Sequence, residues 1–309
     1  MHENPHAQIL LHDDNNSNGK GVKDVQKRTR DLRYITNNAG IALLWLSGAL
    51  TLLILLVVVG YILINGLSVI SWEFLTQNPR RMGKEGGIFP TIMGSVIITM
   101  LAIFISTPVS VGAAVYMAEY AGERKITKLI RFGADSLAGI PSIMFGMFGY
   151  LLFVYLFGWG YSILAGALTL SLMAFPIIFR VSEEAVRVVP ESYKLGSLAL
   201  GGSRWQTIRR VVLPTAIPGI ITGVILGMGR AVGETAAVML TAGTVARMPL
   251  SVFDPVRTMT LHVYVLSMEN LSVENAYGTA AVLVIMILGI TLLSNYLTRR
   301  YIAKLGGKI

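Results

Sequence analysis

Residues 136–179, SLAGIPSIMFGMFGYLLFVYLFGWGYSILAGALTLSLMAFPIIF, contain no lysine, arginine, aspartate or glutamate. About 20 apolar residues cross the hydrocarbon core of a bilayer, so this run has the length for two crossings. Gly158, Trp159 and Gly160 break it near the middle. Four further runs, 34–72, 86–118, 211–229 and 275–298, are equally free of charge. The chain of 309 residues is 53% hydrophobic and 14% charged, where soluble domains average about 25% charged. These patterns predict an all-α polytopic membrane protein with six transmembrane helices, near 41–64, 89–118, 132–157, 161–180, 214–243 and 277–298.

Basic residues close to a crossing stay on the cytoplasmic side. With the N-terminus placed there, segments 1–34, 119–135, 180–213 and 299–309 hold twenty of the 26 Lys and Arg. The opposite side holds five, and Arg230 lies within a span. Both termini are therefore expected in the cytoplasm. The same bias accounts for the net charge of +9 without any nucleic acid partner. The absence of cysteine excludes disulfides, iron–sulfur clusters and thiolate zinc sites. His2, His6 and His12 fall in HENPHAQILLHDDNNSNGKG, which reads as a disordered tail rather than a metal site. His262 reads as an isolated loop residue. No short apolar core with a small-residue cleavage pattern is found near the start, so the first helix is expected to remain as an anchor.

The stretch GMGRAVGETAAVML, 227–240, sets Arg230 and Glu234 inside a span, where an ionised side chain costs about 3 kcal/mol or more and is a functional candidate by default. At 100° per residue, Gly219, Gly223, Gly227, Arg230, Glu234 and Ala237 share one narrow stripe of a continuous helix. Ile221, Val224, Ile225, Met228, Val232 and Met239 form the opposite, bulky side, expected to face lipid. Glycines at this spacing let a second helix approach closely. The charged pair then faces protein or a water-filled path. Either it pins helix packing, or Arg230 lines the route of an anion while Glu234 holds it in place.

Arg180, Glu183 and Glu184 form a second charged set at the end of the fourth predicted helix, just beyond Pro176, with opposite charges at i,i+3 and i,i+4. Next comes VPESYKLGSLALGGSRWQTIRRVVLPTAIPG, 189–219, the longest cytoplasmic connection. It is amphipathic and basic, which suits docking to a soluble partner, and Pro214 can open the following helix at its first turn. Gly201, Val211, Leu213 and Pro214 fall on the spacing of the EAA loop of binding-protein-dependent ABC importer permeases: Glu-Ala-Ala, three residues, Gly, nine residues, Ile-x-Leu-Pro. With GIPSIMFGMFG (139–149) and GMGRAVGETAAVMLTAG (227–243), the chain from about 86 to 303 resembles the phosphate importer permeases of the PstA type. Where that family reads Glu-Ala-Ala, this chain has Leu195, Gly196 and Ser197. Glu191 offers a carboxylate one turn earlier.

The resemblance implies a MetI-like permease core that forms half of a translocation pathway. Its implied partners are a homologous PstC-type permease, two copies of a PstB-type ATP-binding subunit, an external PstS-type phosphate-binding protein, and membrane lipid. Inorganic phosphate is the implied substrate, with no cofactor. No G-x-x-x-x-G-K-[ST] stretch cradles ATP in this chain, so hydrolysis is expected on the partner. The organisation expected is a disordered basic tail (1–34), a first transmembrane helix with external loop (35–88), and a permease domain (89–303) containing a coupling loop at 183–213. The buried charges and the resemblance together point to Arg230, Glu234, Arg180 and Glu183 as lining the path, the last two matching the family's Arg-x-x-Glu. The resemblance of the loop gives Glu191, Leu195, Gly196, Ser197, Gly201, Leu213 and Pro214 to ATPase coupling, and the spacing of Gly219, Gly223 and Gly227 gives them to helix packing.

Three alternatives stay open at this level. One is the PstC-type permease, or a permease for molybdate or sulfate. Another is a secondary transporter or channel working without an ATPase. A membrane enzyme is the third, although no catalytic constellation gathers at one membrane face. Arg80, Arg81 and Lys84 in the outer loop are candidates for meeting an acidic patch on a binding protein, or are merely solvated.

Overall fold

The computed structural model describes the backbone of residues 6–122 and 124–306, and side chains over 37–300 apart from 123 and 297. The chain divides into two compact units, 1–61 and 62–309. Helix α1 (His6–Leu67) makes up most of the first unit. Over 41–58 its Leu, Ile and Val side chains are exposed around the whole helix, the pattern of a span surrounded by lipid. The tail expected at 1–34 lies outside the residues whose side chains are described.

The second unit opens with the short α2 (Trp72–Thr76), capped by the Ser71 hydroxyl, which accepts from Phe74 N at 3.1 Å. Strands β1 (Pro79–Arg80) and β2 (Glu85–Gly86) pair antiparallel around a tight turn with positive φ at Arg81, Met82 and Gly83. Asn275 Nδ2 donates to Gly83 O and Lys84 O, both at 3.0 Å. Thus the segment before α3 is a docked hairpin, and Arg81 is held by Glu85 at 2.7 Å.

Ten helices follow among the described residues: α3 (Phe89–Glu119), α4 (Lys125–Ala138), α5 (Ser142–Gly149), α6 (Ile163–Arg187), α7 (Glu191–Ala199), α8 (Arg204–Thr207), α9 (Leu213–Val232), α10 (Ala236–Thr241), α11 (Met259–Met268) and α12 (Val273–Gly306). α5 and α8 continue as π-helical turns over Tyr150–Leu156 and Ile208–Val212. The most extensive pairing joins α3 to α6. Ala102, Ser106, Ser110 and Ala114 recur every four residues on α3 and are buried. Their small side chains let the backbones close up, so that Ser106 Oγ donates to Ser171 O at 3.0 Å and Ser110 Oγ to Phe175 O at 3.3 Å. The main core gathers Ile98, Phe145, Ile163, Leu170, Val238 and Leu261.

Two predicted spans are corrected. Among the described residues, five helices are long and apolar enough to cross a membrane, and a sixth crossing requires α4 and α5 with its π turn to count as one. That pair is bent by 98°. Gly139, Ile140 and Pro141 separate them, and proline disfavours helix in the residue before it. The span predicted at 214–243 likewise ends at Val232, and the chain restarts as α10 after Gly233, Glu234 and Thr235. Glycine at the end of a helix and a carboxylate at the start of the next are ordinary stop and start signals.

Candidate functional site

The glycine edge of α9 packs on α6. A Cβ on Gly219 would strike the Ala185 side chain; one on Gly223 would lie 3.1 Å from Val181 Cβ, and one on Gly227 2.7 Å from Ile178 Cγ1. On the opposite side, Val224 and Met228 pack on Ile103, Ala174 and Ile178, and Val232 is buried. The exposed residues Thr215, Thr222, Leu226, Gly229 and Arg230 instead share one arc of about 100°. This is a correction of the predicted lipid face. It arises because α9 is gripped by α3 and α12 as well as α6.

Arg230 occupies the last turn of α9 and is exposed in the single chain. Glu234 lies past the helix end, so the two do not share a continuous helix, and no ion pair joins them among the described residues. Glu234 Oε1 accepts from Thr235 N at 3.2 Å and Ala237 N at 3.4 Å, capping α10, while its carbonyl accepts from Thr260 Oγ1 at 2.9 Å. The carboxylate therefore anchors the break that follows Arg230 rather than pairing with the guanidinium.

Arg180 and Glu183 are also not bonded to each other. Arg180 Nη1 donates to Asp135 Oδ1. Glu183, only 6% exposed, accepts from Arg131 Nε at 2.8 Å and Arg187 Nη2 at 3.1 Å. With Phe179 and Glu184 these groups line a cavity of about 170 Å³. A buried carboxylate needs such partners, since removing one leaves a charge out of water. Sequence reasoning missed Arg131, Asp135 and Arg187. The signal was present in the i,i+4 spacing of Arg131 and Asp135, but that segment reads as a basic loop until α4 is seen to fold it against α6.

A groove of about 710 Å³ runs between α6 and α9, lined by Arg180, Glu184 and Val188 on one wall and Thr215, Gly219 and Thr222 on the other. Gly223 packs at the level of Ile178 and Val181, so Arg180 and Arg230 are separated by seven residues of helix, about 10 Å along the seam.

The predicted coupling loop is a helix-turn-helix. Gly201 at φ +81° follows α7; its N–H donates to Leu198 O at 3.0 Å and that of Gly202 to Ser197 O at 3.1 Å. This double bond pattern closes a helix on a left-handed residue, which explains glycine at this place in the motif. Ser197 Oγ and Thr207 Oγ1 are 2.9 Å apart, tying α7 to α8. Ser203 and Gln206 form a reciprocal cap on α8. Leu213 packs with Val186, Val189 and Val212 at the root of the loop, and Pro214 sits in the first turn of α9. Glu191 opens α7, and Leu195 and Gly196 lie on its exposed side.

His262 belongs to α11 and is fully buried, a correction of its placement in a loop. Its Nδ1 lies 3.4 Å from Arg257 Nη1, and Arg257 Nε donates to Thr244 O at 2.7 Å. Burial, with Arg257 beside it, holds the His262 pKa down at about 4. These two residues fix the loop before α11 and take no place along the seam.

Residues 110–306 match the family described as binding-protein-dependent transport system inner membrane component. The probable ABC transporter permease protein YqgI of Bacillus subtilis is 40% identical over 281 residues, covering 86% of this chain and 96% of that protein. Phosphate transport system permease protein PstA 2 of Mycobacterium bovis is 35% identical over 239 residues, covering 75% of this chain and 78% of the relative. In fold, the inward-facing MetNI methionine ABC transporter superposes with a TM-score of 0.60 at 17% identity, covering 69% of this chain and 95% of that one.

Proposed function

Because the chain belongs to the family of binding-protein-dependent transport system inner membrane components and is an ABC importer permease of the cytoplasmic membrane, we propose that its cargo is inorganic phosphate and that Arg230 and Arg180 line the route. The observation that carries this reading is a pair of exposed arginines on two closely packed helices: Arg180 lines the α6–α9 groove, and Arg230 stands on α9 about 10 Å of helix rise beyond the level of Arg180. The PstA names of several relatives point to the same ion. A guanidinium matches phosphate oxygens in a fork of two hydrogen bonds. Asp135 restrains Arg180, so the anion is held weakly enough to leave, as conduction requires. Glu183 acts behind this surface by fixing Arg131 and Arg187, and Glu234 by fixing the chain break beyond Arg230.

The exposed side of α7 and α8, with Tyr193, Leu195, Leu200 and Trp205, is the docking face for a PstB-type ATPase, two copies of which serve this chain and its PstC-type partner. Both termini and this loop then lie in the cytoplasm, and a PstS-type protein delivers phosphate on the opposite side. Labelled phosphate uptake by vesicles carrying an assembled Arg230→Ala complex is the test. Uptake reduced by about tenfold or more supports the reading; undiminished uptake returns Arg230 to a packing role. Competition by excess sulfate or molybdate, with no competition by phosphate, would assign the route to another oxyanion.

A further inference from the structure

We propose that Lys194 and Glu119 are positioning residues that carry movement of the coupling loop into the membrane spans. This inference rests on the ATPase-docking role assigned above. Its starting point is how little holds α7 in place. None of the nine residues of Glu191–Ala199 is buried. Only Lys194 and Ser197, three apart and hence on one helix face, are partly covered. Ser197 reaches Thr207 inside the same loop. Lys194 Nζ donates to Glu119 Oε1, at the last residue of α3, and among the described residues this is the side-chain hydrogen bond that joins α7 to a spanning helix.

The pair is shielded from water, with side chains 22% and 13% exposed. Val115 and Ala118, on the turn before Glu119, belong to the apolar cluster at the root of the loop. An ion pair in such surroundings is poorly screened, and removing one member leaves the other uncompensated. From Glu119 the contact continues up α3, whose Ser106 and Ser110 bond the α6 backbone. α6 in turn carries Arg180 and Glu183. A push on the outer side of α7 therefore has a bonded line into the seam: Lys194 to Glu119, α3 to α6. Lys194 is the immediate neighbour of Leu195, where the family has its acidic residue, and its charge is turned inward.

The test uses this chain assembled with its partner permease and ATPase in vesicles, supplied with the external binding protein and phosphate. Lys194→Met and Glu119→Gln are expected to keep the ATPase bound and hydrolysing while uptake per ATP falls about tenfold. The charge exchange Lys194→Glu with Glu119→Lys is expected to return this ratio to within about threefold of the parent, because the pairwise term is restored. A packing defect would not be mended by that exchange. An unchanged ratio in both single variants overturns the proposal, as does a loss that the exchange leaves in place while the ATPase stays bound. If a single variant sheds its ATPase, the exchange decides: recovery of binding together with coupling supports the tether, and any lesser recovery overturns it. Unmutated vesicles that take up no phosphate mark the failure of the proposed cargo instead, and the tether is then decided by binding-protein stimulation of ATP hydrolysis in the same variants.

Discussion

The α6–α9 seam and the α7 loop are held by opposite means. On the seam, glycines 219, 223 and 227 leave no room between backbones, and each would drive a Cβ into Ala185, Val181 or Ile178. On the loop, α7 buries no residue and is fastened by one ion pair and one hydroxyl contact. Close packing makes a part that moves as a unit, because interiors at this density do not deform smoothly. Polar tethers make a part that can shift while its bonds persist. On the function proposed above, the route is built on the rigid region and the drive on the adjustable one.

This contrast breaks most visibly at its glycines. Gly227→Leu puts a side chain where even a Cβ lies 2.7 Å from Ile178, and overpacking of this kind costs about 1–3 kcal/mol or more. Assembled complex is expected to fall to a small fraction of the parent, measured by co-purification of the partner permease; normal yield would show that the seam is looser than described. A smaller effect is expected at Gly201→Ala. Its φ of +81° charges any L side chain about 1–2 kcal/mol, and the fall is expected in uptake more than in assembly. The smallest is Gly196→Ala, where nothing lies within 4 Å of the added Cβ. There the helix gains about 0.5–1 kcal/mol and protease resistance of the loop rises. If Gly196→Ala harms assembly as much as Gly227→Leu, the two regions are not held differently.

Helices and their packing edge were legible wherever the signal is local. Charge-free runs located the spans, and the spacing of Gly219, Gly223 and Gly227 announced a close neighbour before α6 was identified as that neighbour. The breaks were less legible. Gly139-Ile140-Pro141 and Gly233-Glu234-Thr235 sit within apolar stretches whose length and composition suit a continuous span, so periodicity carried the prediction across them. Assigning Arg230 and Glu234 to one stripe failed for that reason. The cluster around Glu183 was half visible: Arg180 and Glu183 share a helix, whereas Arg131 and Asp135 come from α4 and join them only through tertiary packing. Lys194 and Glu119 are separated by 75 positions, and nothing in either neighbourhood names the other.

The central claim is that the exposed arc of α9 faces a water-filled anion route. The chain contains no cysteine, so Thr222→Cys and Arg230→Cys each introduce a single thiol into it. Reaction of these thiols with a membrane-impermeant, negatively charged thiol reagent in assembled complexes is the direct measurement. The account predicts labelling of both positions, slowed by phosphate and faster where the neighbouring arginine is intact. Labelling only by a lipid-soluble reagent, unaffected by phosphate, would place the arc against acyl chains and contradict it.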